Sequence, residues 1–101
     1  MALFYVYLIV SNVKNRTISY VGYTNNINKR LKLHNTSKGA KFTRGRKWKI
    51  IYKKTYNTKS EAMKYEYKLK KDRNKREKIK KAFKLKQKKN SWNMKSNFHL
   101  I

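Results

Sequence analysis

A small α+β domain is the fold class this sequence predicts, on three observations. Three short runs are rich in β-branched and aromatic residues, two segments carry a 3.6-residue apolar repeat, and 101 residues suit a single core. The first run, Leu3 to Val10, is apolar without alternation, the pattern of a strand covered on both faces. Ser11 to Arg16 carries turn chemistry and Thr17 to Gly22 resumes strand composition, so the pair reads as a hairpin. Asn25 or Asn26 then caps a helix of about residues 26–36, in which Ile27, Leu31 and His34 fall on one face. Thr36 to Lys47, with two glycines and five cationic side chains, reads as a flexible basic loop. Trp48 to Tyr56 has the composition of a third strand. Thr58 to Glu61 matches a capping box that opens a helix whose Ala62, Tyr65, Glu66 and Leu69 share a face. From Lys68 to Lys89, 13 of 22 residues are Lys or Arg, a candidate basic helix with a meagre apolar stripe of Ile79, Phe83 and Leu85. Asn90 to Ile101 has aromatics without clear periodicity. The expected division is a domain over residues 1–74 and a basic C-terminal helix and tail over 75–101.

Lys plus Arg number 29 against 4 Asp plus Glu, a formal charge of +25. Self-repulsion on that scale is tolerable mainly when the working partner is a polyanion, so nucleic acid is the first candidate. An AT-rich coding bias inflates Lys, but it does not by itself account for only 4 acids against 29 basic residues. The absence of Cys excludes disulfides, thiolate zinc sites and a cysteine nucleophile, and two His exclude an all-His zinc site. Leu3 to Val10 is far short of the roughly 20 residues of a membrane span and has no basic n-region before it. The expectation is a soluble intracellular protein, cytoplasmic or nuclear, not secreted and without a membrane partner. Eight Tyr supply core volume that the aliphatics alone would not.

The informative constellation is Tyr5-Val6-Tyr7 on the first strand and Tyr20-Val21-Gly22 on the second, followed by Thr24, Arg30, His34-Asn35 and, on a later helix, Glu66. In this order and spacing the chain resembles the GIY-YIG nuclease superfamily, whose members cut DNA with a small ββαβα module. The resemblance runs over about residues 3–72 and is strongest to the small stand-alone branch, excision-repair-nuclease-like and structure-selective. There, segments like Gly39 to Gly45 lead into a Trp-started strand, and Ser60-Glu61-Ala62 with Glu66 and Lys70-Lys71 forms the next helix. One departure is that Tyr5 stands where the first triplet has Gly, which leaves Tyr7 aligned with the first Tyr. The fold so implied is a three-stranded antiparallel sheet flanked by helices.

Each candidate residue has a plain reading beside the functional one. Glu66, one of four acids, faces the packed side of its helix, where an ionised carboxylate needs a partner, either a Lys or Arg or a cation. By resemblance it is the metal ligand for one Mg²⁺ or Mn²⁺, which a single carboxylate and phosphate oxygens can hold. Tyr7 and Tyr20 are ordinary amphipathic strand residues, or, by resemblance, a catalytic pair in which one deprotonates the attacking water and the other positions it. His34 is a core histidine, or a proton-transfer residue competing with Tyr7 for the role of general base. Arg30, four residues before His34 on the same helical face, offers a planar fork for the scissile phosphate. Lys41, Arg44 and Arg46 in the glycine-containing loop, with Lys70 and Lys71, suit DNA phosphates, while Phe42 and Trp48 are either core or base-stacking residues. The resemblance implies a metal-dependent DNA endonuclease that hydrolyses phosphodiester bonds, serving DNA repair or recombination on branched or damaged duplex more than on a base sequence. The alternative is a catalytically silent basic DNA-binding accessory protein on the same fold, for which charge alone suffices. A ribosome-associated basic protein would prefer RNA and need no metal.

Overall fold

The computed structural model describes residues 3–13 and 16–99, with side chains for 3–12 and 16–86. In chain order the elements are β1 (Phe4–Val13), β2 (Arg16–Thr24), α1 (Ile27–Asn35), a 3₁₀ turn (Lys41–Thr43), β3 (Lys49–Tyr56), α2 (Lys59–Lys71) and α3 (Arg73–His99). The predicted α+β class holds. β1 and β2 each run past the expected limits, so the hairpin connection is shorter than the six residues read as turn; Lys14 and Asn15 lie outside the described residues.

The sheet order is β2-β1-β3 and both pairings are antiparallel. β1 is therefore central, with a strand on each edge and a packed layer on each face, which explains its unbroken apolar run. Alternation sends Val6 and Leu8 to one face, where they meet Val21, Ala62 and Leu69. Tyr7 and Ile9 point to the other, against Trp48, Tyr20, Ile27 and Leu31. A bulge opposite Leu8 and Ile9 shifts the register of β3, so Ile51 and Tyr52, adjacent in sequence, both reach the core under α2.

Local chemistry sets the helix ends. Asn26, not Asn25, caps α1, its side chain accepting from the Lys29 amide at 3.1 Å. Thr58 caps α2, its hydroxyl accepting from the Glu61 amide and donating to the Glu61 carboxylate at 3.0 Å. The single basic helix expected over Lys68 to Lys89 is corrected. Asp72 leaves helical geometry (φ −96°, ψ 84°) and its carboxylate accepts from the Lys75 amide, so the run divides between α2 and α3. The Arg76 guanidinium seals the break by donating to the Leu69 and Lys70 carbonyls. Of the expected stripe on α3, Ile79 packs on the core under α2 and Phe83 takes the Lys49 ammonium over its ring at 4.8 Å, whereas Leu85 is exposed. The segment from Asn90, read as lacking periodicity, is helical to His99; Leu100 and Ile101 lie outside the described residues.

Candidate active site

The site is built on the sheet face that α1 covers. Tyr7 and Gly22 are directly paired across β1 and β2, and Ile9 and Tyr20 form the next pair on the same face. The Tyr7 ring crosses the bare Cα of Gly22 so closely that a Cβ there would lie 2.4 Å from its hydroxyl oxygen. That is the physical requirement behind the glycine of the second triplet. Tyr5, where that first triplet departs, is an ordinary strand residue paired with Thr24 and Thr55.

α1 lays Ile27 and Leu31 on this face and buries His34 completely. The Tyr7 hydroxyl and His34 Nε2 are 2.8 Å apart, and His34 Nδ1 is 2.8 Å from the Thr43 hydroxyl. Thr43, itself fully buried, donates its one hydroxyl proton to the Ala40 carbonyl at 2.8 Å. In the arrangement where that proton stays on the Ala40 carbonyl, Thr43 accepts from His34 and Nδ1 carries the imidazole proton. Burial and the Arg30 charge hold the His34 pKa below its ordinary value, which keeps the ring neutral at neutral pH. Nε2 is then a lone pair, and the Tyr7 hydroxyl is its donor. Burial pushes the Tyr7 phenol up to about 12 despite the Arg30 cation beside it. Tyr20 meets the same imidazole through its ring edge, at 5.3 Å between centroids.

The Arg30 guanidinium borders both phenols and is held more firmly protonated by the Tyr7 hydroxyl. Its Nε is buried with no protein acceptor, a donor left over by the fold. Glu66 lies on α2, close enough for its charge to register at Tyr7, and its side chain is 16% exposed. The carboxylate pairs with Lys70, one turn along, at 2.8 Å, which is the plain reading of a lone acid in a basic chain. Among the described residues no group of three or more His, Cys, Asp or Glu gathers. A hard cation at Glu66 therefore fits by donor type, taking one carboxylate oxygen and leaving its other positions to water and phosphate oxygens, provided Lys70 yields.

Beside Tyr20 runs a groove of ≈ 360 Å³ lined by Ser19, Tyr20, Val21, Phe42, Lys70 and Arg76. Tyr20 and Phe42 stack at 6.2 Å, and Arg46 stands over the Phe42 ring at 5.2 Å. Phe42 is half exposed, whereas Trp48 is core, its indole donating to the Thr43 carbonyl at 2.9 Å. Lys41 and Arg44 are exposed on the loop, in which a 3₁₀ turn stands where only flexible chain was expected. Lys71 stands over the Tyr67 ring and is not among the groove residues. Sequence reasoning found Tyr7, Tyr20, Arg30 and His34, which the fold gathers, but gave no role to Thr43 or Arg76. Asn35, noted only in the motif, clamps the Trp48 backbone from both sides and ties the start of β3 to the end of α1. A lone Thr or Arg in a loop or a basic run carries no periodic signal.

Among the described residues no helix is long and apolar enough to cross a membrane. The chain is 54% identical over 52 residues to a UPF0213 protein of Oceanobacillus iheyensis, covering 50% of this chain and 60% of that one. It is 58% identical over 53 residues to one of Bacillus licheniformis, covering 52% and 55%. The match thus spans little more than half the length of these relatives. A UPF0213 protein of Staphylococcus haemolyticus is 41% identical over 71 residues, 69% of this chain and 83% of that one. The solution NMR structure of a UPF0213 protein from Bacillus halodurans is 35% identical, with 79% of this chain and 84% of that one covered and a TM-score of 0.45. The GIY-YIG catalytic domain family matches residues 3–81, a span that takes in all three strands, α1, α2 and every residue of the Tyr7–His34–Thr43 network, and the chain belongs to that family.

Proposed function

We propose that this chain is a metal-dependent DNA endonuclease that hydrolyses phosphodiester bonds, and that Tyr7, Tyr20, Arg30, His34 and Glu66 do its chemistry. The observation that carries the reading is the buried Tyr7 hydroxyl held 2.8 Å from His34 Nε2, with Arg30 beside it. A phenol of pKa about 12 is ionised in roughly one molecule in 10⁵ at pH 7, far too few for a standing phenolate base. A paired acceptor removes that obstacle. As water attacks phosphorus, its proton passes to the Tyr7 oxygen while the Tyr7 proton passes to His34 Nε2, and the opposite P–O ester bond breaks with its departing oxygen taking a proton from solvent. Arg30, drawn onto the phosphate, uncovers the Tyr7 oxygen and meets the charge that develops on the phosphoryl oxygens. Tyr20, at the groove, orients the water. Glu66 would hold one Mg²⁺ or Mn²⁺, which supplies further neutralisation of the phosphate.

The groove offers cations and ring faces, groups suited to backbone charge and stacked bases, with no Asn, Gln, Asp or Glu among its lining residues. This supports selectivity for DNA structure, branched or damaged duplex, over sequence. Lys70, Lys71, Lys41, Arg44 and Arg46 bind phosphates, joined by Arg76. One observation favours a catalytically silent DNA binder: Lys70 occupies the carboxylate a cation would need. The deciding test is incubation of purified protein with linear, flapped and four-way DNA in Mg²⁺ or EDTA. Cleavage of the flapped or four-way substrates that EDTA stops is the expected result, and binding without cleavage in either condition would establish the silent binder.

A further inference from the structure

Resting on the reading of Tyr7 and His34 as a proton-transfer pair, we infer that Thr43 is a positioning residue that holds His34 in the one tautomer able to take the Tyr7 proton. A neutral imidazole has two tautomers, and only the form protonated at Nδ1 leaves Nε2 free for Tyr7. In the other form Nε2–H would donate to the Tyr7 oxygen and the Tyr7 proton would have no acceptor on the ring. Nothing in the His34 ring itself makes this choice. Thr43 makes it, because its own proton is spent on the Ala40 carbonyl and its oxygen can only accept.

The surroundings hold Thr43 to that task. It is fully buried, so no solvent competes for its oxygen, and both its amide and its hydroxyl donate to Ala40 within one 3₁₀ turn. The Trp48 indole donates to the Thr43 carbonyl and fixes the residue from the far side. Gly39 lets the loop close on the ring, since a Cβ there would stand 2.6 Å from His34 Nδ1. The same turn carries Phe42 into the groove and Thr43 into the core on adjacent residues. A simple packing residue at this position would need only a methyl-bearing side chain; the hydroxyl gives the buried Nδ1 its one partner, and its own bond to Ala40 sets which way that partner faces.

The test compares wild type, Thr43→Val, which keeps the shape and removes the hydroxyl, and Thr43→Ser, which keeps the hydroxyl. Long-range ¹H–¹⁵N spectra of the His34 imidazole in the full chain, near pH 7.5, should show the proton on Nδ1 in wild type and Thr43→Ser. In Thr43→Val the ring should become a mixture or the opposite tautomer. Single-turnover cleavage should fall by about 100-fold in Thr43→Val and stay within a few-fold in Thr43→Ser, with DNA affinity unchanged. In a His34→Gln background Thr43→Val should cost nothing more, because it acts only through the imidazole. A wild-type spectrum with the proton on Nε2 overturns the inference whether or not any variant folds. So does Thr43→Val cleaving at the wild-type rate, or slowing equally in the His34→Gln background. A wild type that cuts no DNA would overturn the nuclease reading and the catalytic part of this one, while the spectrum still decides the tautomer.

Discussion

Tyr7 and Gly22 form a pair in which one residue's chemistry depends on the other's lack of a side chain. A methyl on residue 22 would stand 2.4 Å from the Tyr7 hydroxyl, and Tyr7 is 2% exposed, with no space to swing into. Gly22→Ala should therefore move the hydroxyl off His34 and slow single-turnover cleavage about 100-fold, as Tyr7→Phe should, with DNA binding retained. Tyr20→Phe should cost less, since Tyr20 meets His34 by its ring edge and solvent can replace a water-orienting hydroxyl. Wild-type rates in Gly22→Ala would show that Tyr7 is not held as described. The pH dependence follows from His34, whose pKa burial and Arg30 hold below 6.5. The neutral acceptor persists into mild acid, so the rate should fall only below pH 6.5, and that limb should vanish in His34→Gln. Stability has the same sign. The unfolded imidazole binds its proton at a higher pH than the folded one, so this contribution is full above 6.5 and is lost as pH falls through the depressed folded value. Urea unfolding of wild type and His34→Gln between pH 5 and 8 measures it. At this scale helical spacing put Arg30 and His34 on one face of α1, and it was the motif order of the family resemblance that grouped them with Tyr7. Thr43 was not legible, because its role lies in which ring nitrogen it meets after the chain has folded. For Glu66 both readings stood open, and the bond it makes in the fold is the ion pair with Lys70.

Elements divide according to how local their causes are. β1 could be read as doubly covered because a central strand needs apolar residues at every position, and the caps at Asn26 and Thr58 lie within four residues of the amides they satisfy. The break at Asp72 escaped notice because a single acid in a basic run resembles a solvated counter-charge; it becomes a cap only once Lys75 presents its amide. α3 combines a structural edge with a charged one. Ile79 is packed and Arg76 caps α2, so deleting the helix would damage the core. Lys75, Lys78, Lys81 and Lys86 are exposed. Changing these four to Gln should leave the thermal midpoint nearly unchanged while lowering the log–log salt slope of duplex binding by about 0.9 for each phosphate that is no longer neutralised. Fluorescence anisotropy across a salt series reads the slope, and an unaltered value would mean that this face of α3 is only solvated.

On the whole molecule, a charge of +25 bears on the metal as much as on DNA. A divalent cation approaching the free protein meets a repulsive field, and the carboxylate proposed to hold it, Glu66, already has the Lys70 ammonium at 2.8 Å. DNA changes both conditions. Its phosphates offset the field, offer Lys70 and Arg76 an alternative anion along the groove, and bring oxygen ligands where the described residues gather no cluster of three. Cation and DNA binding should therefore be strongly and reciprocally coupled. Mn²⁺ titrations followed by electron paramagnetic resonance should detect no protein-bound ion at millimolar concentration in the free chain. A site should emerge when the Tyr7→Phe variant, which retains the groove and cuts about 100-fold more slowly, is saturated with branched DNA. Adding Glu66→Gln to that variant should remove the site without releasing the DNA. Lys70→Gln should let the free chain bind Mn²⁺ more tightly, because the carboxylate no longer has an internal cation to exchange. Tight binding to the free wild-type chain, or equal binding with and without Glu66, would show that the ion is held elsewhere.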